Sequence, residues 1–224
     1  MSYERDEDFR NFIRKFGEAT YHQAVPAASI EKYRGVLPDE LLTYWQEEGW
    51  NGYMDGLFWI VNPELYDELL DLWIADTPYA DIDEYHVIAR SGFGELYVWG
   101  QHNNQCFVIN PSYMNPPYFS NSAYKLRQKA KSWSIQSFFF SRNPKHMDID
   151  DEQEKPLYTR AVEKLGALGP DEMYGFVPAI MLGGRYELDN LEKVNLFMHL
   201  DMLARLTDER DIPDLHEMPV PPIP

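Results

Sequence analysis

The chain carries one cysteine, Cys106, in 224 residues, which excludes an intramolecular disulfide framework. Cys106 lies in the apolar run Gln105-Cys106-Phe107-Val108-Ile109, a setting that suits a buried, inert thiol. No apolar run comes near the ~20 residues needed to span a bilayer. The segment Met1 to Asp8 has neither the basic nor the apolar stretch of a secretory signal. A cytoplasmic protein with no membrane partner is the expectation. Basic residues are missing too: between Arg34 and Arg90 there is no lysine or arginine, against thirteen acids. From Leu96 to Met147 it is acid that is missing.

These asymmetries sit on a formal net charge of −17, from 37 acidic and 20 basic residues. A field of that sign repels nucleic acid and attracts basic partners over a screening length of ~8–10 Å. The acidic stretch is also rich in Trp, Tyr, Leu and Phe, so it reads as a folded surface and not a solvating tail. Solubility alone is a sufficient reason for such acidity, and the charge by itself names no partner.

The usual signatures of chemistry are absent. There is no His-Glu-x-x-His helix, no Cys-x-x-Cys, no Gly-x-Ser-x-Gly and no phosphate-binding loop. Gly92-Phe93-Gly94 lacks the third glycine of a dinucleotide fingerprint and reads as a hairpin turn. Asp148, Asp150 and Glu152 resemble the opening of a calcium loop. That pattern fails at Gln153, where glycine is needed, and at Thr159, where glutamate is needed. A solvated linker is the better reading of 148–154. Asp81-Ile82-Asp83-Glu84 has too few ligands for a metal, although a hydrolytic role for these acids stays open. The six histidines show no metal-ligand spacing, and His199 with Glu192 and Asn195 reads as a small polar network on one helix. No catalytic residue, cofactor site or metal site is assigned, and the chain reads as a non-enzyme.

Hydrophobic periodicity divides the chain. Phe9, Phe12, Ile13 and Phe16 make one helical stripe, with Gly17 to end it. Short helices are expected over 26–34 and over 38–48, the latter with Pro38 in its first turn and Leu41, Leu42 and Trp45 inward. Residues 49–56 read as a glycine-punctuated turn and Leu57 to Val61 as a buried strand. A helix over 64–74 follows, with Leu65, Leu69, Leu72 and Trp73 as its apolar face. Tyr85 to Ala89, Glu95 to Trp99 and Gln105 to Ile109, separated by turns, form a β-meander. Lys125, Arg127, Lys129 and Lys131 alternate as on one face of an edge strand. Residues 135–140 are helix or strand. Helices are expected over 155–165 and 191–206, the second apolar almost all round and hence covered. The predicted fold class is α+β: an antiparallel meander sheet packed by helices, with a mainly helical C-terminal part. The expected domains are 1–147 and 148–210, followed by a proline-rich tail at 211–224.

Two segments resemble known families. Leu37-Pro38-Asp39-Glu40-Leu41-Leu42, Trp45, Gly49-Trp50-Asn51-Gly52-Tyr53, Asp55-Gly56-Leu57-Phe58-Trp59, Val61-Asn62-Pro63 and Gly94 to Gly100 resemble the GAD-like domain. Pro170 to Ala179, Gly183-Gly184, Asn190 to Leu200 and Leu203-Ala204 resemble the short C-terminal domain often fused to it. Proteins of this layout are similar to immunity proteins of type VI secretion systems, and the resemblance implies a binding protein that neutralises a toxin, often a DNase. It carries over no contact residue. The acids, and the aromatics beside them, supply the candidates for contact with the toxin: Trp50, Tyr53, Asp55, Asp76, Tyr79, Asp81, Asp83, Glu84, Asp148, Asp150 and Asp151. The aromatics among them fit equally as core. The competing class is a cytoplasmic ligand-binding or scaffold module with a pocket between the sheet and the C-terminal helix.

Overall fold

The computed structural model describes residues 3–77, 79–102, 104–111, 118–120 and 131–207, with backbone alone at 105–106 and 118–120. Lys125, Arg127, Lys129, the Cys106 side chain and the tail after 207 lie outside the described residues.

Local chemistry sets the first helix, α1 (Glu7–Phe16). The Asp6 carboxylate accepts the Phe9 N–H at 2.8 Å, two acids occupy the first turn, and Gly17 at φ 77° stops it. Its stripe of Phe9, Phe12 and Phe16 is buried, as the spacing requires. Next come β1 (Ala19–Tyr21), α2 (Ala27–Lys32) and α3 (Asp39–Glu47), with Pro38 at the α3 N-cap and Leu41, Leu42 and Trp45 buried. The glycine-rich stretch that reads as a turn also contains a strand, β2 (Gly52–Tyr53). β3 (Phe58–Ile60) and α4 (Asp67–Ile74) follow. The 64–74 helix is shorter than its periodicity suggests, because Asn62 and Pro63 open a separate 3-10 turn at Pro63–Leu65. That turn leaves Leu65 58% exposed instead of facing inward.

The meander is larger than the sequence pattern implies. β4 (Tyr85–Ser91), β5 (Leu96–Gly100), β6 (Asn104–Asn110) and β7 (Tyr118–Ser120) join β1–β3 in one seven-stranded sheet, in chain order and antiparallel throughout. Both of its faces are covered. On one, α5 (Lys131–Ser141) lies with α1, and Phe139 meets Phe9, Phe12, Tyr44 and Phe58 at ring distances of 5.2–6.2 Å. Residues 135–140 are therefore helical. On the other, α4 packs against β4 and Tyr33 meets His86 at 5.5 Å ring to ring, while the β4–β5 turn is covered by the C-terminal part, where Gly92 faces Tyr158 and Leu168 and Gly94 faces Met173 and Leu200. Two-sided cover explains why β5 reads as an unbroken apolar run rather than an alternation.

The C-terminal part holds α6 (Tyr158–Leu165), the hairpin β8 (Glu172–Phe176) and β9 (Leu191–Asn195), and α7 (Leu196–Leu206). The sequence reading of one helix over 191–206 is corrected here. Residues 191–195 pair with β8, and the Asn195 side chain caps α7 by accepting the Met198 N–H at 3.0 Å. Glu192, Asn195 and His199 therefore share no helix. Nor is α7 covered all round: Met198, Met202 and Leu206, four residues apart, stand 74, 39 and 46% exposed. The 148–154 segment is not a solvated linker. Asp148 Oδ1 accepts the N–H groups of Ile149, Leu157 and Tyr158, and Asp151 Oδ1 those of Gln153 and Lys155. The main chain then joins the parts: Leu168 N–H donates to Asp55 O, and Tyr174 N–H to Gly92 O.

Candidate functional site

The seam between the sheet and the C-terminal part is organised around a buried cation. Arg90 on β4 has no exposed surface. Its guanidinium stacks on Trp59 with 4.6 Å from Cζ to the ring centroid, and Nη2 donates to Pro170 O at 2.8 Å and Gly169 O at 3.3 Å. Burial pulls its pKa below the ordinary guanidinium range, while Tyr66, Tyr158 and Asp171 nearby oppose that shift. Arginine stays charged in such a site, so the group is a fixed positive post.

Beside this post opens a cavity of about 230 Å³, lined by Trp50, Trp59, Asn62, Tyr66, Asp171 and Phe197 among others. Its place, between β3 and the base of α7, is where a pocket between sheet and C-terminal helix was expected. Trp59 Nε1 is tied to Gly56 O at 2.8 Å, whereas Trp50 Nε1 has no acceptor among the described residues. A shallower groove continues from it between α4 and α7. Leu65 and Phe197 line both; Leu69 and Leu72 extend the floor, and Glu68, Asp201 and Arg205 form the rim. Arg205 is held by Asp201 at 2.7 and 2.9 Å, and Glu68 and Asp171 have no ion pair among the described residues.

The candidates chosen from sequence are dispersed. Tyr53 and Tyr79 have no exposed surface and Trp50 only 5%, so all three serve the core, where Tyr79 packs on Phe107 at 4.3 Å. Trp50 alone also reaches the seam cavity. Asp81, Asp83 and Glu84 lie at one end of β4. There Asp83 accepts the N–H groups of Glu84 and His102 and lies 2.8 Å from His102 Nδ1. Asp55, Asp148, Asp150 and Asp151 lie toward its other end, ~20 Å away by strand rise. Asp76, exposed in a left-handed turn at φ 58°, follows α4. Asp151 is buried and paired with Arg160 at 2.6 Å, which holds its carboxyl below the usual range. Burial instead pushes Asp148 up, against its three backbone hydrogen bonds. Asp55, Asp76, Asp81, Glu84 and Asp150 remain exposed. Sequence reasoning missed Leu65, Glu68, Asp171 and Phe197. The one available signal was Pro63 two residues before Leu65, which breaks the helical stripe.

Among the described residues, no cluster of three or more His, Cys, Asp or Glu could hold a metal, and no helix is long and apolar enough to cross a membrane. Residues 7–112 match the GAD-like domain, and residues 132–207 match the C-terminal domain of the type VI secretion immunity protein Tdi1. The chain joins a GAD-like domain to a Tdi1-type C-terminal domain. The second match begins inside α5, whose Phe138 and Phe139 are buried with the sheet. The crystal structure of Atu4351 from Agrobacterium tumefaciens is similar, with a TM-score of 0.73 over 88% of each chain. At 19% identity that likeness shows a shared fold alone. No curated protein matches the chain in sequence.

Proposed function

We propose that this chain is an immunity protein, which binds a toxin delivered by a type VI secretion system and blocks it in the cytoplasm. The match of residues 132–207 to the Tdi1 C-terminal domain carries this reading. The charge pattern supports a finer one, that the toxin is a basic, DNA-cleaving protein. A nuclease that grips phosphates presents a positive face, and a net charge of −17 accelerates its capture.

The immunity reading expects an effector gene beside this one, and the test uses that effector. Co-expression should restore growth to cells poisoned by that effector, and equimolar purified chain should abolish its DNA cleavage. Poisoned cells that stay poisoned despite soluble chain would overturn the reading. Binding that blocks a different toxic activity would overturn only the nuclease assignment.

A further inference from the structure

From the seam we infer the docking site, an inference that rests on the immunity reading and says where the toxin sits. The α4/α7 groove and its end cavity receive a segment of the toxin that inserts one apolar or aromatic side chain and lays lysines or arginines along the rim.

Three observations meet there. First, the surface is apolar without a fold-level reason. Leu65, 58% exposed, stands on a 3-10 turn directly over the groove, and Phe197 is half-buried between the groove and Tyr66, 5.1 Å ring to ring. A monomer gains nothing from presenting Leu65 to water, whereas an interface centre does. Second, the cavity at the groove's end is floored by aromatic residues and has the size of one side chain, the form taken by the anchor pockets that dominate binding energy. Third, the charge around it is unbalanced. α4 carries Asp67, Glu68 and Asp71 and no basic residue. Arg90 is buried and tied to backbone carbonyls, and Lys32 and Arg205, the exposed cations nearby, are engaged with Glu64 and Asp201. Glu68 on the rim has no ion pair among the described residues, and Asp171 stands near the buried Arg90. A basic, amphipathic segment complements both the floor and the rim.

The groove draws on both parts of the chain. Leu65, Glu68, Leu69 and Leu72 come from the GAD-like match, and Asp171, Phe197, Asp201 and Arg205 from the Tdi1-type match. Neither part holds the site alone.

The experiment measures binding of the adjacent effector, in a catalytically inactive form, to three single variants of the full chain. Leu65→Arg should weaken binding at least about 30-fold with an unchanged melting temperature, because the side chain it replaces is exposed. Glu68→Lys should slow association about tenfold at low salt, with little effect on dissociation. Met198→Lys, on the exposed stripe of α7 outside the groove residues, should leave affinity within about twofold. Full affinity in Leu65→Arg, or loss in Met198→Lys alone, would overturn the groove assignment while leaving the immunity reading intact. Failure of the unmodified chain to bind would overturn the immunity reading itself.

Discussion

Arg90 shows most clearly how one residue fixes the relation of the two parts. Its partners are carbonyl oxygens of Ser91, Gly169 and Pro170 and the face of Trp59. Replacement by alanine strips two part-buried carbonyls of their donor, removes a cation–π contact and opens a void. The sum is a destabilisation of about 3 kcal/mol. Lysine should recover only part of it, since a single ammonium cannot both stack on an indole and reach two carbonyls. Urea unfolding of Arg90→Ala and Arg90→Lys measures both. Gly56 offers a second residue-scale case: it sits at φ 97°, and a Cβ there would lie 2.7 Å from the Leu168 Cβ. Gly56→Ala should therefore cost more than the ordinary glycine-to-alanine change, with the loss appearing in the same unfolding experiment. At this scale the sequence is a poor guide to surface. Trp50, Tyr53 and Tyr79 stand beside acids in the chain, yet burial is decided by strands and helices that arrive from elsewhere. Leu65 carries the opposite lesson: its periodic position says core, and Pro63 says otherwise.

Among the elements, the helices with strong stripes were legible. Phe9, Phe12 and Phe16 specify α1, and Leu41, Leu42 and Trp45 specify α3, because a 3.6-residue period needs only local order. β4, β5 and β6 were legible as apolar runs between turns. β1 and β2, three and two residues long, were not, since no alternation develops over that length. β9 was hidden because Leu191 and Val194 continue the apolar spacing of α7 backwards, and only the Asn195 cap marks the break. That cap is testable. Asn195→Ala should lower stability by about 1 kcal/mol, while Asn195→Asp should be nearly neutral, as an acceptor for the Met198 N–H is kept. Thermal melts of the two variants should separate them by several degrees, and equal melts would show that α7 begins without its cap.

For the whole molecule, the decisive property is that the C-terminal part closes over the β4–β5 turn and the Arg90 head group. A fragment ending at 147 uncovers Gly92, Phe93 and Gly94 at the β4–β5 turn and leaves Arg90 with the Ser91 carbonyl but without those of Gly169 and Pro170. It should be expanded and prone to aggregate, measurable by size-exclusion chromatography and near-ultraviolet circular dichroism. Burial sets the response to acid. His86 and His199 are both held below the ordinary histidine pKa by burial. His86 is faced by Asp67, Glu84 and Asp83, which favour its protonation, and by Lys32, which opposes it; the burial effect exceeds them. His199 lies against Gly175 of β8. Each ring stays neutral in the folded chain while the unfolded chain takes up a proton near pH 6.5 (about the free value). The unfolded state then binds more protons, so stability is full above that pH and declines as pH falls through it toward the folded pKa values. The denaturation midpoint should thus drop between about pH 7.5 and 5.5, before the carboxylates titrate. A His86→Gln, His199→Gln double variant should have a flatter profile over this interval, whatever its absolute stability, because it lacks the two groups that take up the proton. An unchanged slope would assign the acid response to the carboxylates instead.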